Sequence, residues 1–101
     1  MNGYMIINTE VFDPDVFAEF RPKIAEAMKA HGGRFLVRGG TVDVTEGDWE
    51  FQRVVIKEFD SFERARGFVR SPEYTALQDL RDRCMHSKTM VVEGYNPDSD
   101  S

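Results

Sequence analysis

Cysteine is almost absent from this chain of 101 residues, and Cys84 is the only one. A single thiol excludes an internal disulfide and any cysteine-cluster metal site, and it fits the cytoplasm better than secretion. Cys84 itself reads as a small buried apolar residue, because no base and basic neighbour jointly mark it as a nucleophile. Histidine is nearly as scarce, at His31 and His86. Neither belongs to a triad pattern. His31 falls at an expected helix C-terminus, where the dipole accounts for it, and "CMH" finds no matching second cluster, so neither a metal nor a cofactor is expected. Basic runs are missing too: 13 Lys and Arg lie scattered against 18 Asp and Glu, for a net charge of -5. That balance argues against nucleic acid as a partner. No 18 apolar residues occur together and no basic leader precedes an apolar run, so no membrane partner is expected. Phosphate-loop signatures are absent as well.

What remains is enough for one core. At 41% hydrophobic content the chain fits a single domain over residues 1–95, followed by a disordered tail, "NPDSDS", over residues 96–101. "YMIINTEVF", residues 4–12, reads as a first strand. Asp13 caps a helix with Pro14 at its first position, and Val16, Phe17, Phe20, Ile24, Ala27 and Met28 recur at three- and four-residue steps as its buried stripe. The helix is expected to stop at "HGG". Next, "RFLVRGGTVDV" offers two readings. A Gly39-Gly40 turn would make a hairpin, whereas one long strand over residues 34–46, kinked or bulged at those glycines, would leave the hairpin to "EGDWE". The long strand is preferred. "RVVIKEF" follows as strand, then a helix with an Asp60–Glu63 capping spacing, a restart at "SPEY" running through Leu77, Leu80 and Cys84, and a last strand "KTMVVEGY". The predicted fold is α+β: a ferredoxin-like βαββαβ sandwich with a four-stranded antiparallel sheet.

Both faces of the predicted strands are apolar. Tyr4 and Ile6 alternate with Met5 and Ile7, Val54 and Ile56 with Val55 and Phe59, and Val91 with Met90 and Val92. Helices cover one face, and the other would expose a patch larger than a soluble monomer usually carries. A homodimer, with a second copy on that face, is the expected partner.

Taken together, "GGRFLVRGG", "EGDW", "RVVIKEF", "SPEY" followed by Arg81 in "LQDLRDR", and "MVVEGY" make the chain resemble the domain-of-unknown-function 1330 family of the dimeric α/β-barrel group over about residues 3–95. The resemblance implies a homodimer whose sheets form a barrel, with a pocket between sheet and helices. It implies no established reaction, and the wider fold group spans small monooxygenases, isomerases, haem enzymes and ligand-sensing modules.

Six residues are candidates for holding a small-molecule ligand. Arg38 precedes the expected kink, where a bulge would re-aim its guanidinium toward an anion. Tyr74 and Arg81, seven residues apart, would share a helical stripe, with Ser71 at the helix start. Trp49 and Arg53 flank the "EGDW" turn, and Ser71 or Trp49 would finish the pocket. Each has a structural alternative: an ion-paired surface arginine, a core tyrosine, a tryptophan at an interface rim. The expected function is binding of a compact organic ligand, an anion being the natural one for arginines. A structural or stress-associated interaction module with a filled interior is the contrasting reading. A cofactor-free monooxygenase or isomerase-like enzyme is the third, working by positioning and proton transfer.

Overall fold

The computed structural model describes residues 1–98. Eight elements follow in order: β1 (Gly3–Val11), α1 (Pro14–Ala30), β2 (Arg34–Arg38), β3 (Arg53–Phe59), α2 (Phe62–Val69), α3 (Pro72–Thr75), α4 (Gln78–Cys84) and β4 (Met85–Glu93). The strands form one antiparallel sheet in the order β2-β3-β1-β4. This is the ferredoxin-like α+β topology.

Local chemistry sets the boundaries. The Asp13 carboxylate accepts from the backbone N–H groups of Asp15 and Val16 and starts α1. Its end is a Schellman turn: Gly33 N–H bonds the Met28 carbonyl and Gly32 N–H that of Lys29, with Gly32 at φ 73°. Ser61, one residue after the expected Asp60, caps α2 by accepting from Arg64 N–H; Asp60 instead faces Arg34. Ser71 caps α3 the same way, accepting from Tyr74 N–H. The helix expected from "SPEY" onward is interrupted at Ala76 and Leu77, so α3 and α4 are separate.

The long strand over residues 34–46 is not formed, and neither is a Gly-Gly hairpin. β2 stops at Arg38, Gly39 turns the chain at φ 70° while its N–H still bonds the Val54 carbonyl, and residues 40–52 leave the sheet as an exposed loop. A bulge does exist, but at Leu36: Phe35 opposes Lys57 and Val37 opposes Ile56, leaving Leu36 without its own partner.

Helices cover one face of the sheet. Met5, Phe59 and Met85 from the strands meet Phe20, Ile24, Met28, Ala65, Phe68 and Cys84 from the helices, all buried. Phe68 is the hinge of this layer, its ring 5.3 Å from that of Phe59 and 5.1 Å from that of Tyr74. On the other face Tyr4, Ile6, Val54 and Ile56 are half-buried, while Leu36, Met90 and Val92 are exposed.

The barrel implied by the family resemblance is not what the sheet builds. Its four strands leave β2 and β4 as two open edges, and the described chain is a slab whose shortest dimension is 17 Å. About eight strands are needed to close a barrel. Of the expected tail, residues 96–98 form a turn in which Asp98 N–H bonds the Asn96 side chain; residues 99–101 lie outside the described residues. Among the described residues no helix is long and apolar enough to cross a membrane.

Because Phe68 joins sheet and helix layer, Phe68→Ala is expected to cost about 3–5 kcal/mol. Urea denaturation followed by circular dichroism checks it; a loss under 1 kcal/mol would place the layer's anchor elsewhere.

Candidate ligand pocket

α2 lies over one half of the helix-side sheet face, and a cavity of about 240 Å³ opens beside it. Its floor is Ile7 and Thr9 of β1, Phe35 and Arg38 of β2, Arg53, Val55 and Lys57 of β3, and Met85, Ser87 and Thr89 of β4. Its roof is Phe17, Phe20, Arg21 and Ile24 of α1, Tyr74 of α3, and Gln78, Arg81 and Asp82 of α4. Apolar walls with a few convergent polar groups are the usual make-up of a small-molecule site.

Strand alternation delivers three of the cationic or apolar groups from β3 at once. Arg53, Val55, Lys57 and Phe59 share the helix-side face, so Lys57 is carried between two buried apolar residues and is itself only 3% exposed. No carboxylate lies within ion-pair distance of it among the described residues. Its ammonium sits 5.5 Å from the centre of the Phe68 ring and 5.8 Å from that of Phe35. Burial, and after it the positive charges of Arg81 and Arg38, lowers its pKa to about 7.

The bulge at Leu36 turns Arg38 to the same face. In an unbroken strand Phe35 and Arg38, three apart, would point to opposite sides; with one extra residue between them both face Lys57 and Val55. The Arg38 guanidinium lies 4.1 Å from the centre of the Phe35 ring and donates to the Arg21 carbonyl at 3.2 Å. Arg53 stacks over Phe17 at 4.8 Å. Burial, then Arg21, pushes Arg38 below the usual arginine value, and burial, then Arg21 and Arg38, does so for Arg53; both remain cations. Gly39 keeps this side open, since a Cβ there would meet the Arg53 guanidinium at 2.9 Å.

Arg81 is fixed by three contacts rather than by an acid. It stacks on Tyr74, 3.9 Å above the ring centre, and donates to the Tyr74 carbonyl at 3.0 Å and to Gln78 Oε1 at 2.6 Å. Burial raises the Tyr74 phenol, partly offset by Arg81, so it stays protonated at neutral pH. Asp82, the one carboxylate of the lining, accepts from Gln78 Nε2 at 2.7 Å. Arg21, Arg38, Arg53, Lys57 and Arg81 thus meet in one cavity, and none makes an ion pair among the described residues. In a chain of net charge -5, this is a concentrated positive field, five cations against the single carboxylate of Asp82.

Four of the six sequence candidates, Arg38, Arg53, Tyr74 and Arg81, line this cavity. Ser71 does not: its hydroxyl is spent inside the fold, donating to the Phe68 carbonyl while capping α3. Trp49 does not either; it lies exposed in the loop with its indole N–H on the Glu46 carbonyl. Lys57 and Arg21 were not among the candidates. The signal for Lys57 was its place in "RVVIKEF", two residues from Val55 and two from Phe59, an inward position on a strand.

Residues 2–95 match the family described as "Domain of unknown function (DUF1330)". The chain belongs to this family. No curated protein matches this DUF1330 chain. Among solved structures it is similar to RPA0582, a protein of unknown function from Rhodopseudomonas palustris, at 17% identity and TM-score 0.71 over 95% of this chain and 84% of that one. It is similar to SnoaB, a cofactor-independent oxygenase from Streptomyces nogalater, at 13% identity and TM-score 0.65 over 98% of each chain. A dimeric ferredoxin-like protein of unknown function from Thermobifida fusca matches at 12% identity and TM-score 0.59 over 92% of this chain and 91% of that one. At these identities the likeness of the DUF1330 chain to them is one of fold.

A lysine whose folded pKa lies near 7, below the free value of 10.5, binds fewer protons folded than unfolded between those limits. Its burial therefore costs stability in full below about pH 7, and the cost is relieved as pH rises toward 10.5. Lys57→Met is expected to be more stable than wild type at pH 6, with the gap closing by up to about 1.4 kcal/mol per pH unit in that window. Urea denaturation of both proteins from pH 6 to pH 10 measures it, and a pH-independent gap would contradict the buried, lowered lysine.

Proposed function

We propose that this chain is a cofactor-independent enzyme that acts on a small organic anion held between its sheet and helices. The observation that carries the reading is the group of five cations without an ion pair among the described residues, with Lys57 among them, in a cavity whose lining holds one carboxylate, Asp82. Arginines in such a site hold a carboxylate with charge-assisted, often bidentate, hydrogen bonds. The same field lowers the cost of a second negative charge that develops as a proton leaves carbon, which is the first requirement of an oxygenation or isomerisation run without a cofactor. SnoaB, named as a cofactor-independent oxygenase, supports this choice over simple binding. An interior filled by its own side chains is not supported by a 240 Å³ cavity. That volume is below the range for drug-sized ligands, so the substrate is small.

The assembly belongs to the same proposal. A homodimer would cover Leu36, Met90 and Val92 on the open sheet face, and the Thermobifida fusca protein is named as dimeric. The buried thiol of Cys84 suits the cytoplasm as the proposed location.

A thermal-shift screen of small carboxylic acids against matched neutral amides tests the pocket. The acids should stabilise the protein and the amides should not. Arg53→Gln and Arg81→Gln should each weaken the best acid by roughly 10- to 100-fold, the equivalent of about 1.5–3 kcal/mol for a hydrogen bond to a charged group. Equal shifts with acids and amides would end the anion reading. Turnover is read by proton NMR in D₂O as loss of the signal beside the carbonyl of a bound oxo acid, and acid binding without exchange would leave a binding protein. For the assembly, light scattering should give twice the chain mass, and Met90→Lys should halve it with the fold intact.

A further inference from the structure

Lys57 is more than one cation in a set. The chain has four lysines, and Lys23, Lys29 and Lys88 are exposed, two of them in ion pairs with Glu19 and Glu50. Lys57 alone is buried, 3% exposed, on the floor of the cavity. It donates no hydrogen bond and forms no ion pair among the described residues, and the Phe68 and Phe35 rings lie 5.5 Å and 5.8 Å from its ammonium. Every other element that faces the cavity adds cations or neutral groups around it: Arg21 from α1, Arg38 from β2, Tyr74 from α3, Arg81 from α4, with Asp82 the only acid. An ammonium in such company is more costly than a free amine, and the amine that results is a nucleophile. With a pKa near 7, roughly a thousandfold more of it is free at neutral pH than of an exposed lysine.

The second observation is the nature of the neighbours. Guanidiniums fix a carboxylate, and a cavity of about 240 Å³ leaves room for only a short chain between that carboxylate and the atom over Lys57. We propose that Lys57 attacks the carbonyl of a small 2-oxo or 3-oxo acid, whose carboxylate is held by the surrounding arginines, and forms an imine with it. The amine nitrogen adds to the carbonyl carbon, the carbinolamine takes up one proton and loses water, and a protonated imine remains. No electron is gained or lost. The iminium then draws electrons from the adjacent C–H bond, or from a carboxylate bond in a 3-oxo acid, and so supplies in this chain the electron sink a cofactor supplies elsewhere. This assignment rests on the pocket being an enzyme site for a small organic anion, and names its substrate class and its nucleophile.

The test uses the whole chain with pyruvate, phenylpyruvate and acetoacetate as probes, each with sodium cyanoborohydride at pH 7, followed by peptide mass mapping. Cyanoborohydride reduces an iminium to a stable secondary amine. The reduced adduct is expected on Lys57 at least about tenfold above Lys23, Lys29 or Lys88, and it should be suppressed by an excess of a non-carbonyl acid such as propionate. Lys57→Met should keep the circular-dichroism spectrum of the folded protein and lose the adduct. Labelling spread evenly over the exposed lysines overturns the proposal. Stabilisation by the oxo acids, or proton exchange in D₂O, with no adduct on Lys57 overturns the imine while leaving the anion site standing. Neither stabilisation nor adduct overturns both.

Discussion

A lysine on the core side of a sheet, between valine and phenylalanine and without a carboxylate, is the constraint around which this molecule is arranged. Burying an unpaired charge is costly, and proteins answer by pairing it, solvating it or letting it lose its proton. Here the neighbours of Lys57 are further cations and aromatic faces, so pairing within the chain is not the answer adopted. The cavity above it follows from the same fact. Packing the helices tightly onto Lys57 would seal the amine away from any anion, and α1 and α4 instead stand off from the sheet at this end while α2 and Phe68 close the other.

The two ends of the sandwich therefore divide the labour. At the α2 end, Phe59, Phe68, Ala65 and Met5 are fully buried and supply the cohesion of a small domain. At the α1–α4 end, Arg21, Arg38, Arg53, Lys57 and Arg81 line a cavity in place of close apolar packing. Such local conflict between stability and composition is the usual mark of a functional site in a chain that is otherwise consistent with its fold.

Much of this organisation was legible in the residues. Strand alternation, the Asp13-Pro14 helix start, the "HGG" stop and the order of elements all follow from short-range chemistry, and the family likeness spans the same stretch. The failures lie where tertiary pairing decides. Residues 41–46 alternate like a strand, but β3 begins only at Arg53 and offers them no partner, so they stay in the loop. The open sheet could not be told from a closed one by alternation, because both present the same two-sided pattern along each strand. Arg38, Arg53, Tyr74 and Arg81 were visible as candidates through residue type and spacing. Ser71 was visible for the right position and a different duty, as a cap. Residue type alone places a lysine at the surface, and for Lys57 only the identity of its face-mates, Val55 and Phe59, argues otherwise.

The extra residue in β2 has a consequence for how such pockets diverge. A side chain's destination on a strand is a matter of parity, and Leu36 changes the parity of everything after it up to the turn at Gly39. Loss of a single codon there would swing Arg38 to the opposite side of the sheet and subtract a charge from the cavity while every other side chain of the lining kept its identity. Kin of this chain with the same residues in β2 but a different count of them would thus present a different charge to the cavity, and aligning residue types alone would miss the difference.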